Sequence, residues 1–287
     1  VQQLEGLQDT DPELYRAWRH GDWDIQFGAV FQEFRRVIHV FSKLGDYGYD
    51  RKRFNESWKI MGMDWGYNDE CVLLKATFDT ITEKEERAFI YRELHDNHKT
   101  PDWWAEKIKE EQERDPVDIL ALPHDAFSHL GGTEPIADII KKKLDELPPD
   151  LRPKIIKADK LSRELKKSAI TMFHNLLAPA SDGIPALLIH HSCDYLIETL
   201  PTIVYAKDSG GEEIDSGCAD HALDSAFYTL LSANKVRGKL FNKSEKIVQK
   251  QQSFVAGTGV TRKELGIDTS TLVMNAAKKR GGDWRTM

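Results

Sequence analysis

The chain has 287 residues, 40% of them hydrophobic and 30% charged, which is the composition of an ordinary globular protein. No run of about 18 apolar residues occurs, so we expect no membrane span. The net charge of −7 taken alone argues against nucleic-acid binding. However, residues 235–287 carry twelve basic and four acidic residues, a net charge of +8, which leaves −15 for the rest. This asymmetry is compatible with a basic tail that meets a polyanion, and equally with a solvated tail.

The three cysteines, Cys71, Cys193 and Cys218, are odd in number and widely spaced. This spacing makes a disulfide framework unexpected and favours a reducing compartment. No CxxC pair occurs, so a structural zinc site is not expected either. The chain begins without Met and without the basic and apolar regions of a signal peptide, so we expect it to be a piece of a longer protein.

Residues 1–56 are rich in aromatic and charged side chains and contain no pattern of a complete core. Asp11 followed by Pro12 is a plausible helix start, because proline suits the first helical position. We predict one helix and an extended arm that packs on a neighbouring part of the protein.

From Trp58 onward the pattern changes to short apolar runs. The stretches "WKIMGMDWG", "CVLLKATFD" and "RAFIYREL" predict three consecutive strands of an antiparallel meander. Helical and strand patterns then alternate: the helices "PDWWAEKIKEEQER", "EPIADIIKKKLDEL", "SRELKKSAITMFHNLLA", "CDYLIETL" and "ADHALDSAFYTLLSA", and the strands "DILALPHD", "PKIIKAD" and "PALLIHHS". This order predicts an α/β fold with a mixed β-sheet and helices on both faces.

Acidic residues occur at the ends of predicted elements. Asp64 lies on the first strand and Asp125 ends the apolar run "DILALPHD", while Asp220 and Asp224 are four residues apart and share a face of the last helix, with His221 beside them. If the two strands are neighbours and the helix packs across them, these side chains converge. Converging carboxylates remain ionised only when a cation neutralises them, and oxygen ligands suit two Mg²⁺ or Mn²⁺ ions.

Each acid also has an ordinary structural alternative. Asp64 and Asp125 can cap local turns, Asp220 can be the N-cap of its helix, and Asp224 can be a surface residue. Spacing alone does not decide between these alternatives and convergence.

Taken together, the motifs resemble the C-terminal half of a bacteriophage terminase large subunit. The stretch "YRAWRHGDWDIQFGAVFQEF" is similar to the segment that ends the family's ATPase half. "GMDWGYND" and "ALPHDAF" are similar to the two acidic strand ends of its nuclease domain. "GIPALLIHHSCDYLIETLPTIVY" and "IDSGCADHALDSAFYTLL" are similar to its closing elements, although Ser225 replaces the usual Ala and Phe227 the usual Arg.

The resemblance implies an RNase H-like metal-dependent endonuclease that cuts double-stranded viral DNA concatemers during packaging, with little sequence specificity. It divides the chain into a linker at 1–56, a nuclease domain at 57–235 and a basic tail at 236–287. Carried over by position, Asp64 and Asp125 are metal-binding catalytic acids, Asp220 or Asp224 is the third, and His221 is an additional ligand. The implied partners are DNA, the small terminase subunit and the portal protein, in the host cytoplasm at the procapsid.

The family's phosphate-binding loop GxxxxGK[ST] is absent from these residues, so we expect no ATPase activity from this chain. Two alternatives remain: another RNase H-like nuclease, such as a resolvase or transposase-like enzyme, and a non-catalytic module that docks DNA or the portal. Five basic residues follow the strand that ends near Asp125. They fit either a contact to the DNA backbone or a solvated face. They are Lys157, Lys160, Arg163, Lys166 and Lys167.

Overall fold

The computed structural model of the protein describes residues 28–129, 134–207 and 213–238. In this part of the chain, seven strands form one sheet with the order β1-β7-β4-β3-β2-β5-β6. The strands are β1 (Val40–Phe41), β2 (Lys59–Asp64), β3 (Cys71–Thr82), β4 (Glu85–Asp96), β5 (Ile119–Leu122), β6 (Lys154–Lys157) and β7 (Leu187–His190).

The centre of the sheet is the predicted meander, in which β3 pairs antiparallel with both β2 and β4. The remaining described pairs, β2 with β5, β5 with β6, β4 with β7 and β1 with β7, are parallel. The mixed sheet predicted from the order of the patterns is therefore confirmed.

Seven α-helices are described beside the sheet. They are α1 (Arg36–His39), α2 (Arg51–Glu56), α3 (Pro101–Arg114), α4 (Ile136–Leu144), α5 (Arg163–Leu177), α6 (Asp194–Thr199) and α7 (His221–Arg237). The start of α3 follows the sequence signal, because the Thr100 side chain accepts a hydrogen bond from the Trp103 backbone N–H and Pro101 is the first helical residue.

The two faces of the sheet bury separate apolar clusters. On one face, α5 and α7 contribute Phe173 and Phe227 to the larger cluster, which also contains Ile60 of β2. On the other face, α3 contributes Trp104 to a cluster that contains Met61 and α4 residues. Consecutive β2 residues thus point to opposite faces, as the pleat of a strand requires. The prediction of helices on both faces is confirmed.

Residues 28–56 pack more closely with the sheet than an extended arm would. Phe31 and Phe34 are buried in the larger cluster, and β1 pairs with Ile189 and His190 of β7. The sheet therefore includes a strand on the N-terminal side of the expected boundary at residue 56. Sequence reasoning missed β1 because two residues carry no readable periodicity.

Parts of two expected segments lie outside the described residues. These are residues 1–27 of the expected linker and 239–287 of the expected basic tail, so the division into linker, domain and tail stays a prediction. None of the helices within the described ranges has the length and apolar character needed to cross a membrane.

Candidate active site

The candidate site depends on an unusually close approach of α7 to β2. The hydroxyl of Ser225 donates a hydrogen bond to the carbonyl of Gly62 over 3.2 Å. A Cβ atom at Gly62 would lie only 2.1 Å from Oγ1 of Thr229 and 2.8 Å from its backbone nitrogen. Only glycine fits this contact, which places the first turn of α7 beside the end of β2, where Asp64 lies.

Asp64 contacts His221, the first residue of α7. The Nδ1–H of His221 donates to Oδ2 of Asp64 over 3.1 Å, and the Asp64 side chain is only 14% exposed. Burial raises the pKa of Asp64; His221 opposes that rise, and the charges of Asp220 and Asp125 add to it. In return, the hydrogen bond to Asp64 raises the pKa of His221. His221 therefore orients the Asp64 carboxylate.

Asp220 and Asp224 share a single ammonium group. Nζ of Lys166, on the first turn of α5, lies 2.7 Å from Oδ2 of Asp220 and 2.9 Å from Oδ2 of Asp224. Asp220 occupies the N-cap position of α7, but its side chain makes no capping hydrogen bond. Asp224 is mostly buried rather than a surface residue. The structural alternatives for these two acids therefore do not describe their contacts.

Opposing charges act on this group of side chains. Burial raises the pKa of Asp224 to about 7; the neighbouring Lys166 lowers it, and Asp220 and Asp64 raise it. Burial would lower the pKa of Lys166, but the two carboxylates outweigh this effect and raise it. The carboxylates of Asp64, Asp220 and Asp224 therefore carry more negative charge than the Lys166 ammonium alone neutralises.

Asp125 lies at the same edge of the sheet, in the turn His124–Phe127 that follows β5. Since β5 runs parallel to β2, with Ala121 opposite Gly62, the ends of both strands face the same side. Asp125 is exposed. Its charge nevertheless contributes to the raised pKa of the buried Asp64. The strand and helix acids therefore lie near the same edge of the sheet, while their convergence on a shared ion and their role as ligands stay predictions.

The donor types suit a hard divalent cation, although no three of these ligand atoms, all on described residues, lie within 4.8 Å of one another, as those of Glu93, His95 and Asp194 do. The donor set consists of carboxylate oxygens from two strand ends and one helix, the ligand type that Mg²⁺ and Mn²⁺ prefer. Oδ1 of Asp224 is buried and accepts no hydrogen bond from the described residues. Its partner is the Lys166 ammonium, 2.9 Å away, and a bound cation would have to replace that contact.

Two features of the site were not recognised in the sequence. The ion pair of Lys166 with the helix acids joins residues 54 and 58 positions apart. Tyr228 lies one turn after Asp224, and burial, together with the charges of Asp64, Asp224 and Asp125, raises the pKa of its phenol. The four-residue spacing from Asp224 was the available signal for Tyr228.

A second cluster lies on β4 and the start of α6. Ligand atoms of Glu93, His95 and Asp194 all lie within 4.8 Å of one another. Glu93 and His95 are two residues apart on one strand, so they share a face. The Glu93 oxygens accept hydrogen bonds from the backbone N–H groups of Tyr195 and Leu196, each over 2.9 Å. These contacts show Glu93 holding the first turn of α6.

Comparison with known proteins gives one relative by sequence and several solved structures with a similar fold. No model of a known protein family matches the chain. The PBSX phage terminase large subunit of Bacillus subtilis (strain 168) is 29% identical over 111 residues, which are 38% of this chain and 24% of that protein. The chain is thus similar to a terminase large subunit over about a quarter of that protein's length.

The nuclease domain of the P22 large terminase has a TM-score of 0.53 at 15% identity, over 72% of this chain and 93% of that chain. This likeness shows the fold alone: the chain has an α/β fold with a mixed sheet like that of the P22 domain, as expected for an RNase H-like sheet. The nuclease domain of the SPP1 large terminase, solved with bound Mn, has a lower TM-score of 0.45 at 14% identity, over 68% of this chain and 96% of that chain.

Proposed function

We propose that this chain is the nuclease region of a phage large terminase and that it hydrolyses the backbone of double-stranded DNA. The observation that carries the proposal is the meeting of Asp64, Asp125 and the α7 acids at one sheet edge of a terminase nuclease fold. The sequence similarity to a terminase large subunit supports the same conclusion. By the same reasoning, the chain would work at the viral procapsid in the host cytoplasm, with the small subunit and portal as partners.

In this proposal, Asp64, Asp125 and Asp220 or Asp224 hold two divalent cations. Such a pair of ions, when bound, activates the attacking water and stabilises the leaving oxygen of a phosphodiester. His221 holds Asp64 in position through its Nδ1–H, and it is itself a candidate ligand. The surrounding apolar clusters exclude water from the inner side of Asp64, which strengthens electrostatic interactions there.

The basic residues beside the site provide the contact to DNA in this proposal. Lys157 ends β6, and its ammonium lies 5.5 Å from the ring centre of Phe127 in the Asp125 turn. Lys160 and Arg163 follow toward α5. Because phosphate contacts carry no sequence information and no base-reading motif is visible in the sequence, we propose that cleavage has little sequence preference.

Cleavage of supercoiled plasmid in Mg²⁺ or Mn²⁺ tests the proposal. Asp64→Asn and Asp125→Asn should each lower the cleavage rate by more than ~100-fold, beyond the effect usual for outer-shell partners. Asp150→Asn is the matched control, because Asp150 is exposed in the turn before β6, at the opposite end of the parallel strands. Cleavage of the plasmid should stop when EDTA removes the ions.

Other outcomes would favour the alternatives. Unchanged cleavage in both acid variants, or no cleavage by the wild-type chain with either ion, would reject the nuclease proposal in favour of a docking module. Cleavage confined to branched junctions would point to a resolvase-like enzyme instead.

A further inference from the structure

Lys166 occupies a position inside the acidic site rather than on its rim. Its ammonium lies within 2.9 Å of oxygens from both Asp220 and Asp224, two carboxylates on successive turns at the start of α7. About a quarter of the Lys166 side chain is exposed, so the group is partly shielded from water and screening salt. The ammonium therefore provides the cation that lets two neighbouring carboxylates remain close.

Both oxygens of Asp224 lie 2.9 Å from this ammonium. Lys166 donates hydrogen bonds to Oδ2 of Asp220 and Oδ2 of Asp224. Oδ1 of Asp224 is also 2.9 Å from the ammonium but receives no hydrogen bond from the described residues, although it is buried. The ammonium thus neutralises the same carboxylate oxygens that a divalent cation would need.

A divalent cation and the ammonium compete for these carboxylates. Each would neutralise the same oxygens, and at contact distance in a partly buried site two positive groups repel strongly. The lysine side chain has a flexible four-carbon stem, so its head group can leave while its backbone stays in α5. The acids, in contrast, are held by the packing of α7 on Gly62.

We propose that Lys166 is a displaceable counter-ion: it neutralises Asp220 and Asp224 in the metal-free protein, and a divalent cation releases its ammonium from them. This inference rests on the proposed function, since it concerns the same acids. Arg163 lies three residues before Lys166 on the same helix, so in this proposal the released ammonium adds one positive charge near Arg163 for a DNA phosphate. Binding of the cation thereby makes the surface that meets the DNA backbone more positive.

Lysine-resolved acetylation of the wild-type chain, read by mass spectrometry without DNA, tests displacement directly. Saturating Mn²⁺ should raise the acetylation rate of Lys166 by about fivefold or more, the protection expected from an ion pair of this exposure. Lys154 is the internal control, because it is exposed at the start of β6, at the end of the strand away from Asp125. Its acetylation rate should be the same with and without the ion.

Metal affinity gives an independent measurement that does not depend on cleavage. Lys166→Met should bind Mn²⁺ about tenfold more tightly than the wild type, because the competing charge is gone. Lys154→Met should bind Mn²⁺ with the wild-type affinity, as measured by calorimetry or by the electron paramagnetic resonance of free Mn²⁺.

The outcomes separate this inference from the proposed function. Unchanged Lys166 acetylation in Mn²⁺-saturated protein overturns displacement, even when the protein cleaves plasmid normally. A wild-type chain that binds no Mn²⁺ overturns it as well. Conversely, Mn²⁺-dependent exposure of Lys166 in a protein that cuts no DNA supports displacement and rejects the nuclease proposal.

Discussion

At the scale of single residues, Gly62 controls the distance between β2 and α7. Gly62→Ala places a methyl group against the Thr229 backbone, so strand and helix must separate. We expect the free energy of unfolding to fall by about 1–3 kcal/mol, the usual cost of overpacking a core. Urea denaturation measures this loss, and weaker Mn²⁺ binding should accompany it because α7 carries Asp220 and Asp224.

The matched control is Gly45→Ala, since no atom lies within 4 Å of a Cβ at that position and the backbone there is not left-handed. A Gly62→Ala protein as stable as the Gly45→Ala protein would contradict the close contact described for α7.

The candidate acids could be predicted from the sequence because each one interrupts or ends an apolar pattern. Asp64 follows a buried strand, and Asp220 and Asp224 have helical spacing. The role of Gly62 could not be predicted, because a glycine in a strand does not reveal which helix lies above it. Lys166 was noted as a basic residue, but its acidic partners are more than fifty residues away, beyond any local pattern.

At the scale of elements, the attachment of α6 to β4 should depend on pH. Burial raises the pKa of Glu93 to about 7, against the opposing hydrogen bonds from Leu196 and Tyr195, and nearby Asp194 adds to the rise. The folded protein therefore keeps a proton that the unfolded chain releases near the ordinary glutamate value. Stability from this group is fully present below that value and is lost as the pH rises toward 7.

We therefore expect the wild type to lose about 3 kcal/mol of unfolding free energy through Glu93 between pH 4.5 and pH 7. Glu93→Gln cannot ionise, so this part of the pH dependence should be absent. Urea denaturation at several pH values measures the difference between the two proteins.

Glu110→Gln is the control, because Glu110 lies on α3 and pairs only with Lys107 among the described partners. If Glu93→Gln and Glu110→Gln show the same pH dependence as the wild type, Glu93 does not keep its proton in the folded state.

The longer elements were predictable, whereas the shortest one was not. Strands β2 to β7 and helices α3 to α7 all coincide with predicted stretches, although β3, β4 and α7 extend beyond the predicted ends to Thr82, Asp96 and Arg237. Strand β1 has only two residues, and it becomes a strand through its pairing with Ile189 and His190, far away in the chain. Tertiary pairing, not local preference, determines that element.

At the scale of the whole molecule, the net charge of −7 conceals an uneven distribution of charge. Acids gather at one sheet edge, and Lys157 and Lys160 lie beside them. We expect Lys157→Ala combined with Lys160→Ala to weaken DNA binding and to reduce the slope of log affinity against log salt by about 2, one for each lost phosphate contact.

Fluorescence anisotropy with a DNA duplex, over a series of salt concentrations and without divalent cations, measures this slope. Lys154→Ala should keep the wild-type slope, because Lys154 lies at the other end of β6. Equal slopes for the double variant and the wild type would place the DNA on another surface.

The overall architecture was predictable because antiparallel strands followed by alternating strands and helices have few compact solutions. The position of residues 28–56 was not, since their apolar side chains show no regular period, yet Phe31 and Phe34 are buried with the core. Their position is determined by packing against apolar surface that the rest of the chain provides.

The pairing of β1 with β7 covers part of the backbone edge of β7. In a shortened chain that begins at residue 57, β7 would become the outermost strand, with unpaired backbone groups and an uncovered Leu188 and Phe89. Such an edge is a template on which strands of other molecules can add, the first step toward insoluble assemblies. The short strand Val40–Phe41 thus covers an edge on which strands of other molecules could otherwise add.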